Sequence, residues 1–128
     1  MQRQSLNRII LIAVCFAALF FSRATASEKF ITIDEFKKWR HDKKDLVLID
    51  VRAQDEYRRE HIPGAIDIPA GENMQFAPYR SKAIVLYCWY DSTASEVAED
   101  YAKGYSMHVL RGGIEDWKKR GLKTEKTK

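Results

Sequence analysis

Cysteine is nearly absent from this chain. Its 128 residues include two, Cys15 and Cys88, and Cys15 lies within an apolar N-terminal run. Without that run a single thiol remains. One thiol cannot close an internal disulfide, so Cys88 is either sheltered or reactive. His41 and His108 stand at no ligand spacing to each other or to Cys88, and no metal site is expected. Internal repeats, low-complexity segments and linker-like composition shifts are all missing, which leaves a single compact unit.

Long apolar runs are also scarce. The longest, Ile9 to Phe21, has 13 residues, short of the roughly 20 that a membrane span needs. It follows the basic residues Arg3 and Arg8 and precedes Ala24-Thr25-Ala26, so residues 1–26 read as a signal peptide cleaved before Ser27. Export, to a periplasm-like compartment, is expected. A membrane anchor is expected only if the segment stays uncleaved. A lipid on Cys15 fits less well, because bulky Val14 precedes it and apolar sequence follows.

Charge of one sign is missing too, once residues 1–26 are set aside. The 22 Lys and Arg lose Arg3, Arg8 and Arg23, leaving 19 against 18 Asp and Glu, a net of +1. The basic character of the whole chain belongs mostly to the signal and gives no nucleic-acid footprint. The 102 remaining residues suffice for one core and are too few for two. Residues 27–122 are read as that domain, and 123–128, "KTEKTK", as a flexible, solvated tail.

What is present is alternation. A short apolar run at Phe30 leads into Thr32-Ile33-Asp34-Glu35, the form of a capping box before a helix that carries Phe36 and Trp39 on one face. "LVLID", "IVLY" and "MHVL" have the length and β-branched content of buried strands, and "IDIP" that of a short edge strand. Helical segments separate them at "DEYRREH", at about Thr93–Lys103 and at "GGIEDWKKRGL". This order predicts an α/β fold, a small parallel sheet of about five strands with helices on both faces.

Two strand ends carry polar groups. Asp50 and Arg52 follow one apolar run and Cys88 follows another, so both reach the carboxyl edge of the sheet, where open α/β folds bind ligands. After Cys88 comes "WYDSTAS", Trp89 to Ser95, a loop entering a helix whose amides favour an anion. A cysteine phosphatase would carry arginine six residues after the nucleophile, where Ala94 stands. A thioredoxin-like site would carry a second cysteine at Asp91.

"DVRAQDEYRREHIPGAIDIP" and "VLRGGIEDW", with Cys88 between them, resemble the rhodanese pattern in order and spacing over nearly all of residues 27–122. The resemblance implies a sulfurtransferase. Cys88 is then the nucleophile, taking sulfur from a small donor and passing it as a persulfide to a thiol or cyanide-like acceptor, with no cofactor. Trp89, Tyr90, Asp91, Ser92, Thr93, Ala94, Ser95 and Arg52 are its candidate substrate-binding residues. Most other matching residues read as structural: an Arg52–Glu56 ion pair, His61 bonded to nearby backbone, a turn at Pro63-Gly64, and Trp117 in the core. Asp91 replaces a commonly found glycine. It is expected to tolerate a left-handed turn, and its charge to oppose a thiolate and an anionic donor such as thiosulfate. A competing reading is a module without turnover that uses the Trp89–Tyr90 rim to bind a sulfur compound or a protein partner. In a third, Cys88 is an inert filler at a strand end.

Overall fold

The computed structural model describes residues 30–128, so the expected signal segment lies outside it. Five strands alternate with four helices: β1 (Phe30–Ile31), α1 (Ile33–His41), β2 (Leu46–Asp50), α2 (Gln54–Arg59), β3 (Ile66–Asp67), β4 (Ala83–Tyr87), α3 (Ser92–Tyr101), β5 (Ser106–Leu110) and α4 (Gly113–Lys119). The expected capping box starts α1, with Thr32 Oγ1 accepting the Glu35 amide (3.1 Å) and the Glu35 carboxylate accepting that of Thr32 (2.7 Å). A 3-10 turn at Ala77–Tyr79 carries no apolar periodicity in the sequence.

All strand pairs are parallel, in the order β1-β5-β4-β2-β3. The central strands are covered on both faces, which is why they read as unbroken apolar runs. Along β4, Ile84, Leu86 and then Cys88 face one core layer together with Val97 and Ala98 of α3. Val85 and Tyr87 face the other, with Phe36 of α1 and Trp117 of α4. Cys88 thus continues the strand's alternation toward α3. Among the described residues no helix is long and apolar enough to cross a membrane.

Residues 123–127 are held, contrary to the expected loose tail. His61 and Glu125 exchange both backbone bonds at 2.8 Å in an antiparallel bridge, and the Thr127 amide reaches the Arg58 carbonyl. The Thr124 hydroxyl donates to the Glu60 carboxylate (2.8 Å), while the Trp117 indole donates to the Lys123 carbonyl (2.8 Å). The free amides and carbonyls beside α2 supply these partners, and "KTEKTK" gives no local sign of them.

Candidate active site

β2 and β4 are adjacent and in register, Asp50 opposite Tyr87, so the residues after them arrive side by side at the carboxyl edge. The Val51 amide still donates to the Tyr87 carbonyl (3.0 Å). One residue on, the chains diverge, Arg52 toward α2 and Cys88 toward α3. Cys88 is 4% exposed, and its thiol donates to the Tyr90 carbonyl (3.3 Å). A cleft of about 610 Å³ opens over it, walled by Val51 to Ala53, Glu56, Pro69, Ala70, Trp89, Tyr90, Ser92 and Thr93.

The loop after Cys88 is oriented by the start of α4. The amides of Ile114 and Glu115 donate to the carbonyls of Cys88 (3.0 Å) and Trp89 (3.2 Å). Gly113 lies so close beneath that a Cβ there would meet the carbonyl oxygens of Cys88, Trp89 and Tyr90 within 2.6 Å. In a planar trans peptide the N–H points opposite to the C=O. The amides of Trp89, Tyr90 and Asp91 therefore point away from Gly113. Among the described residues, no amide from Trp89 through Ala94 donates to another backbone group. These donors at a strand-to-helix turn favour an anion.

Arg52 does not pair with Glu56, as its spacing suggested. It bonds the fully buried Asp50 carboxylate through Nη2 (2.7 Å), Nε (3.1 Å) and its own amide (2.9 Å), and Nη2 also donates to the Glu60 carbonyl. Burial works against the Arg52 charge, but the hydrogen bonds and charge of Asp50 outweigh it, and the guanidinium is held more firmly cationic than usual. Asp50 wins the contest because it shares the strand end with Arg52. Glu56 instead accepts the Ala53 amide (3.1 Å) and the Trp89 indole N–H (2.9 Å). Trp89 thereby lies across Arg52, whose guanidinium carbon is 4.5 Å from the ring centroid. Burial and the neighbouring Asp50 push the Tyr87 phenol upward, so it stays neutral and accepts the Ile62 amide (3.0 Å).

Of the candidate substrate-binding residues, Arg52, Trp89, Tyr90, Ser92 and Thr93 line the cleft with Cys88. Asp91, Ala94 and Ser95 do not. Ala94 is fully buried under the loop. The Ser95 amide and hydroxyl both return to the Asp91 carbonyl (2.9 and 2.8 Å). The Asp91 backbone is right-handed, at φ −114°, and its carboxylate accepts the Gly112 amide at 2.6 Å. The left-handed turn is not found, and the carboxylate is no part of the cleft wall. His61 bonds backbone as expected, its Nδ1 2.9 Å from the Tyr57 carbonyl. Val51, Ala53, Glu56, Pro69 and Ala70 of the cleft wall escape the sequence reading. The end of "IDIP" is a third strand end at the same edge, and following it would have found the last two.

Residues 32–120 match the model of the rhodanese-like domain family. The chain is 31% identical over 80 residues to the thiosulfate sulfurtransferase GlpE of Coxiella burnetii, covering 59% of this chain and 75% of that protein. A tRNA sulfurtransferase of Desulfurococcus amylolyticus is 35% identical over 71 residues, 55% of this chain and 14% of that much longer protein. Among solved structures, the BH2092 protein of Bacillus halodurans superposes with a TM-score of 0.69 at 28% identity, over 87% of this chain and 85% of that one. A thiosulfate sulfurtransferase of Pseudomonas aeruginosa, at 21% identity and a TM-score of 0.65 over 79% of this chain and 21% of that one, shares the fold. With most of its length matched and Cys88 set at the carboxyl edge of a five-stranded parallel sheet, the chain belongs to the rhodanese-like domain family, whose named relatives are sulfurtransferases.

Proposed function

We propose that the protein transfers sulfane sulfur through a persulfide on Cys88. The observation that carries this reading is a cysteine at the floor of an open cleft, followed by backbone amides that have no backbone acceptor among the described residues. The Cys88 thiolate attacks the outer sulfur of a donor such as thiosulfate. An S–S bond forms, the donor's own S–S bond breaks, and sulfite leaves with the electron pair. An acceptor thiolate or cyanide then takes the terminal sulfur and returns Cys88 as thiolate. A free thiol is mostly protonated near neutrality, and here it leans on the Tyr90 carbonyl. Losing the proton removes that attraction, and rotation about χ1 lets the sulfur exchange the carbonyl for amides. The name of the Coxiella relative makes thiosulfate the first donor to try.

Intact mass measured after exposure to thiosulfate or an organic persulfide is expected to rise by one sulfur atom, located on Cys88 and removed by cyanide or a thiol. Cys88→Ser is expected to fold and melt like the parent and to gain nothing. A protein that gains no sulfur from any donor is not a sulfurtransferase. The second reading, a binding module, is favoured by Trp89 and Tyr90, which at 38% and 58% exposure are the exposed large hydrophobic residues of the described chain. It predicts ligand or partner binding lost in Tyr90→Ala with no mass gain on Cys88.

Export belongs to the same proposal, supported by the basic, apolar and small-residue order of residues 1–26. Protein recovered from the exported fraction is expected to begin at Ser27, read by N-terminal sequencing. A full-length chain held in membranes would make Ile9 to Phe21 an anchor instead.

A further inference from the structure

Asp91 does not line the cleft, and its carboxylate makes a specific bond. Oδ1 accepts the Gly112 amide at 2.6 Å, across 21 residues of sequence. That amide is the first of three in the turn into α4 that grip the Cys88 loop: Gly112 holds the Asp91 side chain, Ile114 the Cys88 carbonyl, and Glu115 the Trp89 carbonyl. The first two main-chain bonds of the loop, at Cys88 and Trp89, are thus secured from α4. The Tyr90 carbonyl receives no amide from α4 and, among the described residues, has only the Cys88 thiol, which chemistry removes. Asp91 supplies the missing tie at that end of the loop. Its own carbonyl is taken by the Ser95 amide and hydroxyl, so both ends of the residue are fixed.

We propose that Asp91 is a positioning residue of the sulfur site: its bond to the Gly112 amide ties the Asp91 end of the Cys88 loop to the start of α4, so that the loop keeps its shape when the thiol loses its proton and lets go of the Tyr90 carbonyl. This inference rests on the persulfide reading. The role depends on an acceptor oxygen at this position and not on the negative charge. Glycine, which has no side-chain acceptor, leaves that end of the loop untied. Alanine does the same, whereas asparagine keeps an Oδ1 in the same place.

The test compares Asp91→Ala, Asp91→Asn and the parent by two measurements. Sulfur loading from thiosulfate, followed by intact mass, is expected to slow by roughly tenfold in Asp91→Ala, the scale of losing one well-placed hydrogen bond to a charged group. Asp91→Asn is expected to recover most of that rate. Amide hydrogen exchange is expected to show the Gly112 amide losing protection in Asp91→Ala and keeping it in Asp91→Asn. Faster loading in both variants would mean that the carboxylate repels the donor through space, which overturns the proposal. Equal loading in all three proteins, or an asparagine variant as slow as the alanine one, overturns it as well. If the parent itself takes no sulfur, the persulfide reading fails on its own. The exchange arm still decides the tie: an unchanged Gly112 amide in Asp91→Ala shows that none exists.

Discussion

Gly113→Ala is expected to stop sulfur loading and to destabilise the fold by about 3–5 kcal/mol. A Cβ at this position would lie 2.4 Å from the Cys88 carbonyl oxygen, 2.5 Å from that of Tyr90 and 2.6 Å from that of Trp89. All three are backbone atoms, and none can swing aside as a side chain would. The φ of +56° adds a conformational cost that glycine alone avoids. Relief requires the loop to lift away from α4, which breaks the bonds from Ile114 and Glu115 and lets the loop carbonyls rotate toward the cleft. Gly121→Ala is the matched control. Its φ is +69°, but no atom of the described residues lies within 4 Å of a Cβ there, so only the backbone cost of roughly 1–2 kcal/mol applies and loading continues. Denaturant titration and intact mass of the two variants separate the terms. Equal loss of stability in both, with loading intact in Gly113→Ala, would show that the loop does not need this close approach.

The same contacts mark where sequence reasoning stops. Buried strands announce themselves because a parallel sheet covered on both faces demands continuous apolar residues, and "LVLID" and "IVLY" satisfy that locally. The position of Cys88 follows from one of them. The capping box of α1 is equally local, two side chains and two amides within four residues. The fate of Asp91 is different. Its side chain answers to an amide 21 residues later, and a loop reading that asks only about turn propensity and charge sends it toward the donor. Glu56 is misread for the same reason. Four residues from Arg52 it looks like a salt-bridge partner, but Asp50 is fixed in the strand beside Arg52 and takes the guanidinium first, which frees Glu56 for Trp89. In both cases the error concerns which of two plausible partners wins. That contest is settled by distances between segments, which periodicity does not encode.

The Asp50–Arg52 pair carries the other large effect. Both side chains are essentially inaccessible, at 0% and 1% exposure. Removing one member strands the other as an uncompensated charge, and Asp50→Asn or Arg52→Met alone is expected to cost about 3–5 kcal/mol. The double variant removes both charges and keeps most of the volume. It is expected to be far less destabilised than the sum of the two, because the attraction of a buried pair does little more than offset its own desolvation. Its sulfur site is a separate matter. Without the guanidinium, the Trp89 ring loses the cation it lies on and keeps only the bond to Glu56. The arginine's remaining bond, to the Glu60 carbonyl at the end of α2, goes with it. The double variant is therefore expected to fold stably and yet load sulfur more slowly, by roughly two- to fivefold, the equivalent of the ~0.5–1 kcal/mol that a cation–π contact on a partly exposed ring contributes. Denaturant curves for the four proteins of the cycle, read beside their loading rates, test both halves. A double variant as unstable as the sum of its parents would mean that the pair stabilises the fold outright, and an unchanged loading rate would mean that Trp89 needs only Glu56 to hold the rim of the cleft.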